Sequence, residues 1–123
     1  MNAPTNTAET PKQAARRLSE SAFAKGFRPT GLHEYQAADG TPLFWRTRMK
    51  HPQTGEKWIR PMHRDGGQFV MGEPAFPDGK PLYRLPAIAS NPDAAVFVVE
   101  GESCVEALER LGIVATTSGG ADS

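Results

Sequence analysis

The residues best suited to chemistry lie near the end of the chain, around Glu100. An unbroken apolar run, Val96–Val99, leads directly into Glu100-Gly101-Glu102. Short runs rich in β-branched residues are typical of strands buried on both faces, as parallel sheets require. In open α/β sheets, ligands and catalytic groups gather at the carboxyl ends of the strands. Glu100 therefore stands where a carboxylate could act on a bound substrate.

The residues after Glu100 predict the elements that would position it. Ser103 is predicted to cap a helix, with Glu106 three residues later as in a capping box. The apolar positions recur at helical spacing and are Val105, Leu108 and Leu111. Gly112 is predicted to end this helix, and the β-rich run Ile113–Thr117 follows as a second strand. The sequence thus predicts one β-α-β unit.

This stretch resembles the first half of a Toprim domain. The resemblance rests on VVEGES, the amphipathic helix, and a strand of small residues ending in Gly119-Gly120. Toprim is the catalytic module of bacterial-type primases, of type IA and type II topoisomerases, and of related nucleases. The upstream text, WRTRMKHPQTGEKW and GKPLYRLPAI, resembles the segment before Toprim in primases or primase-helicases of phages, plasmids and integrated elements. With that context the resemblance extends from about Phe27 onward.

The resemblance implies phosphodiester chemistry at Glu100. In Toprim enzymes the first glutamate acts as general acid or base, and a downstream Asp-x-Asp pair binds magnesium. Glu100 is therefore the candidate catalytic residue and a possible ligand of an incomplete metal site, since magnesium prefers oxygen ligands. Gly101 would allow a sharp reversal from strand to helix. Gly119 and Gly120 could let the backbone approach a phosphate, although a plain turn would use the same residues.

Two further expectations concern Glu102 and the end of the chain. Glu102 could support Glu100 indirectly, without itself contacting the substrate. A glutamate in the first turn of a helix is also favoured by the helix dipole, and this explains the presence of Glu102 equally well. The sequence ends at Ser123, before any Asp-x-Asp segment. We therefore expect this chain to lack the metal motif and to be inactive alone, either as a fragment or as a truncated descendant that works by binding.

Composition limits the classes of function. The 123 residues carry a formal net charge of zero, so any surface that attracts nucleic acid must be local. A single cysteine, Cys104, excludes an internal disulfide and a cysteine-rich zinc site. His33, His51 and His63 are too scattered for a zinc site. No run is long enough for a membrane span or a signal peptide, so we expect a cytoplasmic protein without a membrane partner.

The first three quarters of the chain predict a helix followed by a small antiparallel sheet. Residues 1–9 are expected to form a disordered tail, and a helix should run from Thr10-Pro11 to Gly26. Turns such as Asp39-Gly40 separate four predicted strands, Leu32–Ala37, Leu43–Lys50, Lys57–His63 and Gln68–Met71. We place a domain boundary at Pro92-Asp93. The fold class is α+β: the tail at 1–9, the helix and β-meander at 10–92, and a partial Toprim unit at 93–123.

The second and third strands are strongly basic, with Glu56 as the only acid between Arg46 and Arg64. Period-two alternation places Phe44 beside arginines on one face, and Trp45 on the other, towards the core with Trp58. An aromatic ring among cations on an open sheet is typical of proteins that hold single-stranded nucleic acid. The candidate nucleic-acid-binding residues are Phe44, Arg46, Arg48, Lys50, Lys57, Arg60 and Arg64. The alternative is that these cations only solubilise a hairpin.

The sequence therefore predicts the N-terminal part of a Toprim-type DNA primase. The parent protein would carry out magnesium-dependent nucleotidyl transfer in primer synthesis for the replication of a mobile element. Its expected partners are a single-stranded DNA or RNA primer-template and a fused or associated helicase, with magnesium and without zinc. The alternative is a stand-alone truncated protein of a mobile element that binds nucleic acid or protein as an inhibitor or decoy.

Overall fold

The computed structural model of the chain describes residues 9–118 and combines helices with two small sheets. Its helices are α1 (Pro11–Leu18), α2 (Glu20–Ala24), α3 (Leu85–Ala89) and α4 (Glu102–Glu109). Its strands are β1 (Arg28–Gln36), β2 (Pro42–Lys50), β3 (Lys57–Asp65), β4 (Gln68–Met71), β5 (Phe97–Val98) and β6 (Ala115–Thr116). The mixed helix-and-strand class is confirmed. The predictions for Gly119, Gly120 and all of the tail except Glu9 lie outside the described residues.

The predicted N-terminal helix begins as expected but is divided in two. The Thr10 hydroxyl accepts a hydrogen bond from the Gln13 backbone N–H at 3.1 Å, and the Gln13 side chain accepts one from the Thr10 N–H at 2.9 Å. This reciprocal capping box, with Pro11 at the first helical position, fixes the start of α1. Ser19 then leaves helical geometry, with φ −103° and ψ 14°, so the expectation of one helix to Gly26 is wrong.

The four-stranded sheet is the predicted antiparallel meander, with strand order β1-β2-β3-β4. The start of β2 lies one residue before its predicted position, and the bounds of β4 match the prediction. The first strand begins at Arg28 rather than at Leu32, because its pairing with β2 continues as far as Arg28 opposite Lys50. Long-range pairing, rather than local sequence, therefore sets the length of β1.

One face of the sheet packs under α1 and α2. Trp45 is buried there with Ala14, Ala15, Met62 and Phe69, and its indole N–H donates to Glu34 at 3.0 Å. Farther along the same face, Met49 packs with Ala22 and Phe27, and the half-buried Trp58 contacts this cluster. The prediction that both tryptophans pack towards the core is confirmed.

The opposite face of the sheet is covered, so the expectation of an open surface around Phe44 is wrong. The Phe44 ring is fully buried and stacks on Tyr35 with ring centroids 4.5 Å apart. Tyr83, Val105 of α4 and Ala115 of β6 complete this cluster. Burial of these apolar surfaces holds the C-terminal unit against the sheet and leaves no face of the Phe44 ring free for a base.

The C-terminal unit is the predicted β-α-β arrangement, with β5 and β6 parallel and Phe97 opposite Ala115. Both strands are only two residues long. The prediction that the first strand is buried on both faces is wrong: Phe97 is 54% exposed and Val98 is 76% exposed. No described element covers these side chains. This exposure sets β5 apart from β6, whose two residues are buried.

Candidate functional site

Glu100 lies at the carboxyl end of β5, as predicted, and its residue is exposed. Its position is held through the backbone, because the Thr117 hydroxyl donates to the Glu100 carbonyl at 3.2 Å and the Val99 N–H donates to Thr116 at 2.9 Å. Among residues 9–118, no side chain pairs with the Glu100 carboxylate. This carboxylate therefore faces solvent and is accessible to a ligand.

The helix α4 starts earlier than predicted, and this start places a second carboxylate, that of Glu102, in the interior of the protein. Gly101 is the N-cap, in an extended conformation that any residue can adopt, so the reversal does not depend on glycine. The helix begins at Glu102, and no side-chain hydrogen bond caps it; the prediction of Ser103 as N-cap is wrong. Glu106 does not reach back to Ser103 because its carboxylate is bonded to Tyr83 and His33 instead.

Glu102 is 1% exposed and forms the centre of a buried polar group on the sheet. The Tyr35 hydroxyl donates to its carboxylate at 2.6 Å. The guanidinium nitrogens of Arg46 and Arg48 lie 3.6 and 4.0 Å from its two oxygens. A buried carboxylate is costly without such partners, and these cations balance its charge. Arg46 and Arg48 therefore join α4 to the sheet, which is a role that the sequence did not predict for them.

One turn farther along α4, Glu106 forms a second polar group. The Tyr83 hydroxyl donates to its carboxylate at 2.7 Å, and His33 Nδ1 lies 2.8 Å from the same oxygen. Because a carboxylate can only accept, Nδ1 of His33 is the donor in this hydrogen bond. Burial alone would raise the pKa of Glu106, but the hydrogen bonds from Tyr83 and His33 outweigh burial, so that pKa lies below its ordinary value.

His33 is held in a narrow space between its partners and the backbone of its own strand. Its Nε2 atom is buried and has no hydrogen-bond partner among the described residues. A Cβ placed at Gly31 would lie only 2.6 Å from this nitrogen, so a side chain at position 31 would force the imidazole to move. Gly31 therefore allows the close approach that lets His33 reach Glu106.

Both tyrosines of this region act as neutral donors. Burial, and then the hydrogen bond to Glu102, raise the pKa of Tyr35 far above its ordinary value. Burial and the hydrogen bond to Glu106 do the same to the pKa of Tyr83. Together the two groups, which we call the polar junction, comprise His33, Tyr35, Arg46, Arg48, Tyr83, Glu102 and Glu106. The junction docks the unit that carries Glu100 onto the sheet.

A row of three cations crosses the sheet beside the polar junction. Arg28 is the register partner of Lys50, and Lys50 is the register partner of Lys57. Residues directly opposite one another project to the same face, so this cation row shares the face of Arg48, which lies two residues before Lys50. All three residues are exposed, and none forms an ion pair with a described residue. Like charges in such a row repel one another, and a bound anion would relieve that repulsion.

The remaining predicted cations lie on the other face of the sheet. Arg60 covers the ring of Trp58 with 5.0 Å from its guanidinium carbon to the ring centroid, and Arg64 covers Phe69 at 4.7 Å. In β3, both side chains project to the same face of the sheet as Met62, which packs against α1. The seven candidate nucleic-acid-binding residues are therefore not one surface. Of these seven residues, only Lys50 and Lys57 are both exposed and on the face of the sheet against which the C-terminal unit packs.

Some site residues were missed in the sequence analysis, and they differ in whether the sequence carried a signal for them. Arg28 joins the cation row only through strand register, which the sequence did not reveal. The acidic face of α4 was visible as glutamates at 102, 106 and 109, spaced at three and four residues. That spacing indicates a common helix face, but it does not tell a solvated face from a buried one.

Within residues 9–118, no three histidine, cysteine or acidic side chains come together as a metal site. The exposed Glu100 carboxylate has the oxygen chemistry that magnesium prefers, and such sites usually use one or two carboxylates together with water. Over the same residues, no helix has the length and apolar character needed to cross a membrane. Comparison of the chain with protein-family models, curated proteins and solved structures finds no match.

Proposed function

We propose that the chain is the N-terminal part of a Toprim-type DNA primase, in which it holds single-stranded nucleic acid and contributes Glu100 to primer synthesis. The observation that carries the proposal is the exposed Glu100 carboxylate at the end of a parallel strand, in a β-α-β unit docked beside the cation row. This position at the strand ends is where open α/β sheets bind their ligands.

The polar junction lies between the two halves of the proposed site, which are the Glu100 carboxylate and the cation row. Glu102 lies two residues after Glu100 and contacts Arg48, which lies two residues before Lys50. A carboxylate and a row of cations therefore border the same junction. The phosphates of a single strand would lie along Arg28, Lys50 and Lys57, and one end of that strand would approach Glu100. Contacts to phosphate position a nucleic acid without selecting its sequence.

At the reacting end, Glu100 would accept the proton of an attacking hydroxyl or hold magnesium through one of its oxygens. When bound, magnesium would neutralise charge at the transferring phosphate. The chain's own contribution is to keep Glu100 exposed and fixed, which it does through the backbone of β5 and β6 and through the docking of α4.

The nucleic-acid part of the proposal is tested by binding to a labelled oligothymidylate at several salt concentrations. The variant Lys50→Gln/Lys57→Gln removes two cations of the row, so we expect weaker binding and a salt slope reduced by about 1.4. The matched control, Arg60→Gln/Arg64→Gln, removes two cations from the opposite face and should leave affinity nearly unchanged. Equal losses in the two variants, or affinity that does not depend on salt, would contradict this surface.

The catalytic part is tested by primer synthesis with the product of the natural reading frame. Glu100→Gln should lower synthesis by about 10²- to 10⁴-fold, the usual contribution of a general acid or base, while binding of the oligonucleotide stays intact. Glu56→Gln, which changes another exposed glutamate, is the control. Synthesis that survives Glu100→Gln would refute the assignment of Glu100.

The second candidate function is a stand-alone protein of a mobile element that binds nucleic acid or another protein as an inhibitor. The exposure of Phe97 and Val98 favours it, because large apolar side chains at the surface often mark sites where proteins bind. This candidate predicts a natural product that binds single strands or a protein but makes no primers.

A further inference from the structure

A cavity of about 600 Å³ lies between the α1–α2 pair and the sheet, on the face opposite the cation row. Its walls are mainly apolar and include Ala15, Phe23, Pro29, Leu32 and Met49. Both the volume and the lining are typical of pockets for small molecules, which usually measure about 300–1,000 Å³ and contain a few polar groups that orient the ligand.

Ser19 supplies a polar group without a partner in this cavity. It lines the cavity at the break between α1 and α2, is 1% exposed, and its hydroxyl has no hydrogen-bond partner among the described residues. The Ala15 carbonyl, a usual acceptor for a serine hydroxyl at this position of a helix, accepts the Ser19 backbone N–H at 3.0 Å but no hydrogen bond from the Ser19 hydroxyl. A buried hydroxyl without a partner is unfavourable, so a ligand whose binding turns this hydroxyl towards the cavity would gain a hydrogen bond there.

The two charged residues of the described part of the chain that line the cavity are both cations. Lys12 and Arg16 lie one turn apart on α1, both are exposed, and neither forms an ion pair with a described residue. Among residues 9–118, no acidic residue lines the cavity. Lys12 and Arg16 lie on one face of α1, and Ser19, at the break that follows this helix, lines the same cavity.

We propose that this cavity binds a small amphipathic organic acid. The anionic group of the ligand pairs with Lys12 and Arg16 at the rim, its apolar body lies against Phe23, Leu32 and Met49, and a hydrogen-bonding group meets the Ser19 hydroxyl. The site is separate from the proposed nucleic-acid surface, since its floor is the opposite face of β1 and β2. An apolar lining of this kind does not suit a sugar-phosphate backbone.

The first test uses anilinonaphthalene sulfonate, a fluorescent probe with an aromatic body, an N–H group and one anionic group. We expect saturable binding of one probe per chain, displaced by decanoate but not by decanol. The variant Lys12→Gln/Arg16→Gln should weaken probe binding about tenfold or more. Arg60→Gln/Arg64→Gln, which removes two cations outside the cavity, should bind the probe as the parent chain does.

The second test uses Ser19→Ala. This variant removes the hydroxyl that lacks a partner, so its melting temperature should equal or exceed that of the parent chain, while probe binding weakens about three- to tenfold. Without probe, the near-ultraviolet circular dichroism of the variant must match that of the parent chain, because loosened chains also bind such dyes. Binding that does not saturate, that decanol displaces as well as decanoate, or that both variants leave unchanged would overturn the proposal.

Discussion

At the scale of single residues, the buried hydrogen bonds to α4 depend on the hydroxyl groups of two tyrosines. Tyr35 and Tyr83 are both buried, and each donates to a glutamate of α4. Their raised pKa values keep them neutral where an exposed tyrosine would ionise. Because these are the only two tyrosines of the chain, their ionisation can be followed without interference from others.

We predict that tyrosinate absorbance will not develop near pH 10 in the folded chain. The folded pKa of both tyrosines lies above the unfolded value, so their contribution to stability is complete below about pH 10 and declines as the pH rises further. Tyrosinate should therefore form only together with alkaline unfolding. In guanidinium chloride the same titration should occur near pH 10. Ionisation near that pH with unchanged circular dichroism would show that the two hydroxyls are not bonded as described.

At the scale of elements, the question is what attaches α4 to the sheet. The helix contributes apolar contact through Val105, but it also places Glu102 and Glu106 against side chains of the sheet and of the segment around Tyr83. Arg84 supports this contact: its guanidinium lies over the Tyr83 ring and bonds to Glu109 of α4. The attachment of α4 is therefore polar as well as apolar.

We predict that Glu102→Ala will lower the free energy of unfolding by about 3–5 kcal/mol, the usual effect of removing one member of a buried ion pair. The substitution removes the acceptor of the Tyr35 hydroxyl and the counter-charge of Arg46 and Arg48. Denaturation with urea measures the effect. Glu100→Ala, two residues away and exposed, should change stability by less than about 0.5 kcal/mol. Similar values for the two variants would mean that the junction adds nothing to stability.

At the scale of the whole molecule, the sheet has layers on both of its faces. The helices α1 and α2 cover one face, and the β-α-β unit covers part of the other. The cluster around Phe44 contains residues from both sides of Pro92-Asp93, so the two parts share one core. Trp45 and Trp58, the only tryptophans of the chain, both lie in the sheet and can report on it.

We predict that Val105→Ala, in α4, will shift the unfolding midpoint that these tryptophans report. Val105 is fully buried in the shared cluster, and its truncation should cost roughly 2 kcal/mol. Leu111→Ala, at a residue that is 73% exposed, should have little effect. If fluorescence keeps its midpoint while circular dichroism shows an earlier transition, the sheet and the C-terminal unit unfold separately.

Sequence patterns by themselves determined the local features of this protein. The start of α1 at Thr10-Pro11, the order of the meander, the two faces of β2 and the β-α-β unit all follow from periodicity, caps and turn residues, which act over a few positions. Even the exposure of Glu100 at the end of β5 agrees with such a pattern. These features depend on residues a few positions apart in the chain, so they can be predicted from the sequence alone.

Only the tertiary structure decided which surfaces are covered and which charges are paired. Alternation placed Phe44 and the arginines on one face but could not show that Tyr83 and α4 bury the ring and supply Glu102. Nor could it bring Arg28 into line with Lys50 and Lys57, since register depends on pairing across the sheet. Burial and ion pairing join residues far apart in the chain, and their free energies depend on the folded surroundings rather than on the local sequence.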